Sequence, residues 1–145
     1  KISWSGTFDA AHFIPGHPKC GRLHGHTYRV EVEIIGRVSA KHPRIVLDFA
    51  AIKDIIMALD HKLILPMHHC KIALKRGDDV QASWDRGSVA LDYDSVALIP
   101  IAESSSELLA DWLRRVVLER APRGSRVRVR LSETPNTWAE SEAKR

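Results

Sequence analysis

Two histidines lie two residues apart in one segment of the chain, and a cysteine precedes the first of them by four residues. The segment CGRLHGHTYRVEVEII spans residues 20–35, so Cys20 comes before His24 and His26. Side chains at i and i+2 of a strand project to the same side, and the two imidazoles can therefore hold one metal ion. His12 lies on the apolar side of an earlier alternating segment and is a candidate third ligand.

The spacing of these ligands leaves two kinds of metal site open. Three imidazoles leave a tetrahedral Zn²⁺ with one free position, which is typical of a catalytic site. Cys20 as a fourth ligand would instead close a structural site of one cysteine and three histidines. From spacing alone the two arrangements are about equally supported.

Two further polar features bear on the choice. Asp60 and His61 are adjacent near the end of a predicted helix, and a carboxylate beside an imidazole can help to move a proton. Taken alone, such a pair is more typical of a solvated helix end. Glu133 lies on the apolar side of the last predicted strand. Its carboxylate can accept two parallel N–H bonds from a guanidine-like group, or it can pair with an arginine.

Strands are predicted wherever apolar and polar residues alternate. Such alternation occurs over residues 2–14, 24–35 and 125–133, and residues 44–48 are predicted as a further short strand. Each long strand carries polar groups on its apolar side, namely His12, then His24 and His26, then Glu133. A buried polar group costs on the order of 1–3 kcal/mol unless it is paired, so three such placements together indicate a site.

Two helices are predicted from apolar residues at helical spacing. The first follows Asp48 as its N-cap and includes Leu63, with Pro66 as its latest end. The second begins at Ser104-Ser105-Ser106-Glu107, which fits a capping box. Between the helices, SVALDY and SVALIPI predict two short strands in a hairpin around Asp94, and RGDDVQASWDRG before them is predicted to be an exposed loop.

Length and composition place the chain in a broad class. Its 145 residues favour a single domain over 1–145, and 44% hydrophobic with 28% charged residues is an ordinary globular composition. No apolar run approaches the roughly 18 residues of a membrane helix, and the N-terminus is no signal peptide, so we expect a cytoplasmic protein. The net charge of +4 suits an anionic ligand such as a phosphate ester, but it is scattered, and we expect no nucleic-acid partner.

Six motifs of the chain resemble those of the 6-pyruvoyltetrahydropterin synthase and 6-carboxytetrahydropterin synthase family. They are FDAAHF, CGRLHGHTYRVEVEIIG, VLDFAAIK, LDHKL, SSSELLA and VRVRLSET, in family order and across nearly the whole chain. The resemblance implies an α+β fold in which two helices pack on one face of a small antiparallel sheet, the tunnelling fold or T-fold. It also implies trimers that close their sheets into a barrel, two stacked trimers in a hexamer, and active sites between subunits.

The resemblance also implies roles for individual residues. Three histidines match the zinc ligands: His12, His24 and His26. Cys20 matches the catalytic thiol, and Asp60 with His61 matches the partners that activate it. Glu133 matches the carboxylate that anchors the pterin ring, and Glu107 lies on the helix-start motif that borders the pterin pocket.

The implied substrate is dihydroneopterin triphosphate, with zinc as the Lewis acid. One branch of the family eliminates triphosphate to give the 6-pyruvoyl product, and the other cuts the side chain further to a 6-carboxyl group and acetaldehyde. Three residues separate Cys20 from HGH, and in the family this short gap belongs to the carboxy-forming branch. We therefore expect a 6-carboxytetrahydropterin synthase, acting early toward the 7-deazaguanine nucleosides queuosine and archaeosine.

Two alternatives remain open at this stage. The pyruvoyl-forming reaction is the second candidate, and a non-enzymatic zinc-stabilised module that binds nucleic acid through its arginines is the third. The chain departs from the usual family pattern at Ile64 and Leu65 after LDHxx and at Leu108 after the helix-start glutamate, and its segment before the second helix is longer than in minimal members. These departures affect the pocket wall and leave every predicted ligand and the thiol in place.

Overall fold

A computed structural model describes residues 1–38, 44–74 and 79–145 of the chain. Its elements are, in order, β1 (Ile2–His12), β2 (His24–Ile35), α1 (Phe49–Met57), β3 (Lys62–Pro66), β4 (Lys71–Leu74), β5 (Asp79–Trp84), β6 (Gly87–Asp92), a 3₁₀ helix (Tyr93–Ser95), β7 (Val96–Ile99), α2 (Ser106–Arg120), β8 (Arg126–Thr134) and β9 (Thr137–Lys144).

Six of the strands form the main sheet in the order β7-β3-β1-β2-β8-β9. The pairs β1–β2, β2–β8 and β8–β9 are antiparallel, whereas β3 runs parallel to both β1 and β7. The sheet is thus mostly antiparallel, as predicted, with two parallel pairs at one side.

Both helices pack on one face of this sheet, as predicted. The sheet contributes alternate residues to the core, including Phe8, Tyr28 and Val129, and the helices contribute Ile52 and Leu113. All five side chains are at most 2% exposed. The period-two alternation of β1, β2 and β8 buries one face of each strand, so the polar residues on that face also point inward.

The first helix is shorter than predicted, and Leu63 does not belong to it. Asp48 is the N-cap and accepts a bond from the Ala50 N–H, 2.9 Å, but α1 ends at Met57. The chain then turns through His61, whose φ of 58° is left-handed, and enters β3. The run LILP is buried on both sides of an inner strand, and an apolar run of this length fits such a strand as well as a helix. Residues 44–48 form no strand.

The segment between the helices builds a second sheet, β4-β5-β6, which the sequence did not predict. SVALDY and SVALIPI do contain strands, but β6 pairs with β5 while β7 pairs with β3, so the predicted hairpin is wrong. The predicted exposed loop contains β5, in which Val80 and Ala82 are buried; its residues 76–78 lie outside the described part of the chain. A second apolar cluster, which includes Phe13, Leu65 and Val80, explains the burial.

Strand β8 confirms the predicted strand at 125–133 to within one residue, and the C-terminal strand β9 was missed. The sequence of β9, TWAESEAK, has few apolar residues because it is an edge strand. It pairs with β8 and is stabilised there by ion pairs such as Arg130–Glu140, 3.2 Å. In the described ranges neither helix is long and apolar enough to cross a membrane.

Candidate active site

Three histidines meet at the ends of β1 and β2. The antiparallel register places His12 opposite His24, and His26 opposite Ala10. The ligand atoms of His12, His24 and His26 all lie within 4.8 Å of one another, with His12 buried and the other two half-buried. A Cβ at Gly25 would lie 3.2 Å from the Ala10 carbonyl oxygen, so the glycine allows the two strands to approach closely here. The predicted grouping of the three imidazoles is therefore present.

Backbone carbonyls orient two of these imidazoles. His12 Nδ1 lies 2.8 Å from the Ser104 carbonyl oxygen, and His24 Nδ1 lies 2.7 Å from the Arg22 carbonyl oxygen. A carbonyl only accepts, so each Nδ1 carries the proton and each Nε2 keeps a free lone pair. Such an outer hydrogen bond is the usual support of a metal-binding histidine. The Nε2 atoms of His12 and His26 are buried without a hydrogen-bond partner in the described structure.

Burial makes His12 and His26 poor bases, which suits them to bind a metal. Burial lowers the pKa of His12 from 6.5 to about 4, against the opposing effect of the Ser104 carbonyl and the Glu133 charge. Burial also lowers the pKa of His26. Neutral imidazoles with converging lone pairs are the donors that Zn²⁺ takes, and three of them leave a fourth position. The residues present therefore fit a zinc ion.

Lowering the pH from 6.5 toward 4 is expected to destabilise the zinc-free protein, because the unfolded chain protonates His12 in this range and the folded chain does not. The unfolded state binds more protons there, so the free energy of unfolding rises with pH. The contribution of His12 is at most about 3 kcal/mol. Urea unfolding at pH 7 and pH 4 measures it. A His12→Gln variant should lose most of the difference, and an equal difference in that variant would contradict this origin.

Glu133 lies beside the histidines near the end of β8. Its side chain is 22% exposed and one oxygen is 3.9 Å from His12 Nε2. That oxygen, Oε1, is buried and has no hydrogen-bond partner. Among the ion pairs of the described residues none joins Glu133 to an arginine, so the buried arginine salt bridge considered from the sequence is absent there. The carboxylate is left with an unused acceptor that points into the site.

Cys20 lies in the loop between β1 and β2 and is free and half-buried. The histidine group that fits a metal contains no thiol, within the part of the chain that the structure describes. This geometry favours the open arrangement over the closed one, in which Cys20 would be a fourth ligand.

Asp60 and His61 are hydrogen-bonded to β1. The Asp9 N–H donates to Asp60, 2.8 Å, and the His61 N–H donates to the Asp9 carbonyl, 2.7 Å. His61 Nδ1 is 2.9 Å from Asp60 Oδ2. The Asp9 N–H and the His61 side chain lower the pKa of Asp60. The His61 side chain is 79% exposed. The Asp60 carboxylate therefore orients an imidazole that faces outward.

An open groove of about 670 Å³ is lined by residues from both the histidine group and the Asp60–His61 segment. Its lining includes His26 and Thr27 from β2, His61 and Lys62, and the apolar residues Val89 and Leu91 of β6. Cys20 and Glu107 are not among the lining residues. One chain thus brings His26 and His61 to one groove. The predicted relay from Cys20 to His61 and Asp60 stays a prediction.

The helix-start motif has a role that sequence reasoning missed. Glu107 is exposed in the first turn of α2, and the N-cap Ser105 makes no side-chain cap bond, so the predicted capping box is not formed. The Ser104 hydroxyl instead donates to the Phe13 carbonyl, 2.6 Å, while its own carbonyl accepts from His12. Ser104 is fully buried. A run of three serines at a helix start gives no signal that one of them supports a candidate metal ligand.

Known proteins similar to this chain agree with its motifs. Residues 1–144 match the sequence profile of the family described as 6-pyruvoyl tetrahydropterin synthase. A Pyrococcus horikoshii protein, provisionally named 6-carboxy-5,6,7,8-tetrahydropterin synthase, is 34% identical over 97% of this chain and 88% of its own length. The 6-carboxy-5,6,7,8-tetrahydropterin synthase of Haemophilus influenzae is 45% identical over 50% of this chain and 51% of its own length.

Solved structures show the same fold. The crystal structure of 6-pyruvoyl tetrahydropterin synthase from Plasmodium vivax aligns with a TM-score of 0.73 at 23% identity, covering 99% of this chain and 98% of its own. The Plasmodium falciparum protein of the same name aligns with a TM-score of 0.74, at 22% identity over 99% and 97%. At such identities the likeness concerns the fold. With the match over residues 1–144, the chain belongs to the 6-pyruvoyl tetrahydropterin synthase family.

Proposed function

We propose that this protein is a zinc-dependent 6-carboxytetrahydropterin synthase, a lyase that converts 7,8-dihydroneopterin triphosphate to 6-carboxytetrahydropterin. The observation that carries the proposal is the convergence of three imidazoles, whose ligand atoms lie within 4.8 Å of one another, with no thiol in the group. Such a set leaves a zinc position for a substrate oxygen. The name of the Pyrococcus relative supports the carboxy-forming product. The step would belong to 7-deazaguanine biosynthesis, and a cytoplasmic location stays a prediction.

The three histidines would hold the metal, and backbone carbonyls orient two of them. When bound, zinc supplies Lewis-acid polarisation of the substrate side-chain oxygens, which acidifies the neighbouring C–H. His12 and His24 are fixed as Nδ1–H tautomers by Ser104 and Arg22. Their Nε2 atoms are then available as ligands without a proton to displace. His26, on the groove side, completes the set.

Cys20 would move the proton, with His61 and Asp60 as its relay. Asp60 holds His61 in one orientation through the 2.9 Å contact at Nδ1, which leaves Nε2 to exchange a proton with a thiol. Since Cys20 does not line the groove of His61 in one chain, we propose that neighbouring subunits complete the site.

Glu133 would anchor the pterin ring, with Glu107 at the border of the pocket. The buried, unpaired oxygen of Glu133 can accept N–H bonds from the ring's guanidine-like edge. This contact is the same in substrate and transition state, so its function would be binding and orientation.

Two observations bear on the alternatives. The family whose profile matches residues 1–144 is described as 6-pyruvoyl tetrahydropterin synthase, so triphosphate elimination to the pyruvoyl product is the second candidate. The nucleic-acid module is less supported, because the arginines of β8 are paired with carboxylates. Arg128 contacts Glu33 at 3.1 Å and Arg130 contacts Glu140 at 3.2 Å, which leaves little free positive charge on that face.

Incubation with dihydroneopterin triphosphate and Zn²⁺, followed by product identification, tests the proposal. We expect 6-carboxytetrahydropterin together with acetaldehyde and triphosphate, and no turnover by zinc-free protein. A 6-pyruvoyl product without acetaldehyde would support the second candidate. Unchanged substrate with zinc-loaded protein would overturn the enzymatic proposal.

The protein is expected to assemble as a trimer-based oligomer, with a hexamer as the full assembly. The sheet of six strands ends at β7 and β9, and open strand edges tend to pair with another chain. Sedimentation at micromolar concentration measures the assembly. A stable monomer at that concentration would contradict both this prediction and the proposal that subunits share the active site.

A further inference from the structure

The small sheet β4-β5-β6 contacts the loop that carries Cys20 at two points. Phe13, the first residue after β1, is fully buried, and its ring stacks on Trp84 of β5 with centroids 4.1 Å apart and planes 11° apart. Arg86, in the turn between β5 and β6, donates from Nη1 to the Pro18 carbonyl, 3.3 Å. The β5–β6 hairpin therefore holds this loop at its start and in its middle.

The loop has a definite shape of its own. The Ile14 N–H donates to the Cys20 carbonyl, 2.7 Å, and the Cys20 N–H donates to His17 Nδ1, 2.9 Å. The Gly21 N–H donates to the His17 carbonyl, 3.0 Å, and a Cβ at Gly21 would lie 2.6 Å from that oxygen. These bonds all join residues of the loop to one another. They give the loop its shape, and contacts from outside must set where it lies.

Arg86 provides such an outside contact, and it lies on a hairpin that is anchored in an apolar cluster. Its guanidinium bonds to Pro18, and its Cδ would lie 3.5 Å from a Cβ at Gly21, the residue after Cys20. The hairpin that carries Arg86 is anchored by Val80 and Ala82, which are at most 1% exposed in the same apolar cluster as Phe13. Phe13 directly follows the metal-ligand candidate His12. A single cluster thus connects the histidine group to the hairpin and, through Arg86, to the loop that carries Cys20.

We propose that Arg86 is a positioning residue, which sets the place of the Cys20 thiol relative to the histidine group. The inference rests on the proposed function in so far as Cys20 moves a proton. Proton transfer needs the reacting atoms within hydrogen-bond reach, and a misplacement of about 1 Å can cost up to about 10²-fold in rate. Without the Arg86 contact, the loop would keep the shape that its own hydrogen bonds give it. It would lose the position of the Cys20 thiol relative to the histidine group.

Two variants of Arg86 and one control test the proposal. Arg86→Ala removes the donor to Pro18, Arg86→Lys keeps a donor, and Arg123→Ala removes an exposed arginine from the turn before β8. Alkylation of Cys20 by iodoacetamide, followed by peptide mass spectrometry so that Cys70 is scored separately, reports the thiol's surroundings. Steady-state kinetics with dihydroneopterin triphosphate and the zinc content are measured on the same samples.

Arg86→Ala is expected to change the Cys20 alkylation rate by at least about threefold and to lower kcat by about tenfold, with KM within about twofold and zinc content unchanged. Arg86→Lys should restore the alkylation rate and kcat most of the way to the wild-type values. Arg123→Ala should match the wild type in both. A wild-type alkylation rate in Arg86→Ala, or an altered rate with unchanged kcat, would overturn the proposal. If the wild-type protein does not turn the substrate over, the proposed function fails, while the alkylation rates still decide whether Arg86 places the loop.

Discussion

Replacing Cys20 with alanine is expected to lower turnover by about 10²-fold or more, the usual scale for a lost acid–base group. Zinc content and pterin binding should stay nearly unchanged, because the histidine group that fits the metal contains no thiol. The loop should keep its shape, since the hydrogen bonds at Cys20 are made by its backbone N–H and carbonyl. Steady-state kinetics, metal analysis and ligand titration on the same preparation measure these three quantities.

Cys70 provides the matched control for this prediction. It is the other free cysteine, it is buried, and burial raises the pKa of its thiol to about 11. Cys70→Ala should therefore keep turnover and reduce only the free energy of unfolding. If Cys20→Ala instead loses zinc and unfolds, the thiol is a structural ligand, and the interpretation as a zinc-stabilised module gains.

Replacing Glu133 with glutamine is expected to weaken pterin binding by about 2–4 kcal/mol, or about 30- to 1000-fold in the dissociation constant. The amide keeps the shape of the side chain but loses the charge and one acceptor. The buried Oε1 has no other partner among the described residues, so its bonds are available for the ring. Titration with a non-reacting pterin measures the loss without turnover.

The control for Glu133 is a carboxylate on the same sheet but away from the histidines. Glu140 pairs with Arg130 between β8 and β9, 3.2 Å, and Glu140→Gln should leave pterin affinity unchanged. Zinc content should be equal in both variants. Normal pterin affinity in Glu133→Gln would show that its assigned function is wrong.

The histidine group could be predicted from the sequence because it depends on strand periodicity and on the pairing of two successive strands. Alternation over β1 and β2 puts His12, His24 and His26 on the buried side, and the antiparallel register then brings them together. Glu133 follows from the same argument on β8. The functions of these residues, and those of Cys20, Asp60, His61 and Glu107, stay predictions.

The support of the site could not be predicted from the sequence. Ser104 acts through its backbone carbonyl, which every residue has, so its type carries no signal. Arg86 reaches the Cys20 loop only because β5 and β6 form a hairpin. The β3 segment was assigned to a helix because LILP is apolar throughout, and only its parallel partners β1 and β7 make it a strand.

X-ray absorption at the zinc edge of the resting protein tests the central claim most directly. The claim is that His12, His24 and His26 bind zinc through nitrogen while Cys20 stays free and the fourth position stays open to water or substrate. We expect a first shell of three imidazole nitrogens and one oxygen at about 2.0–2.1 Å. A zinc–sulfur distance of about 2.3 Å, unchanged when a pterin is added, would contradict the account.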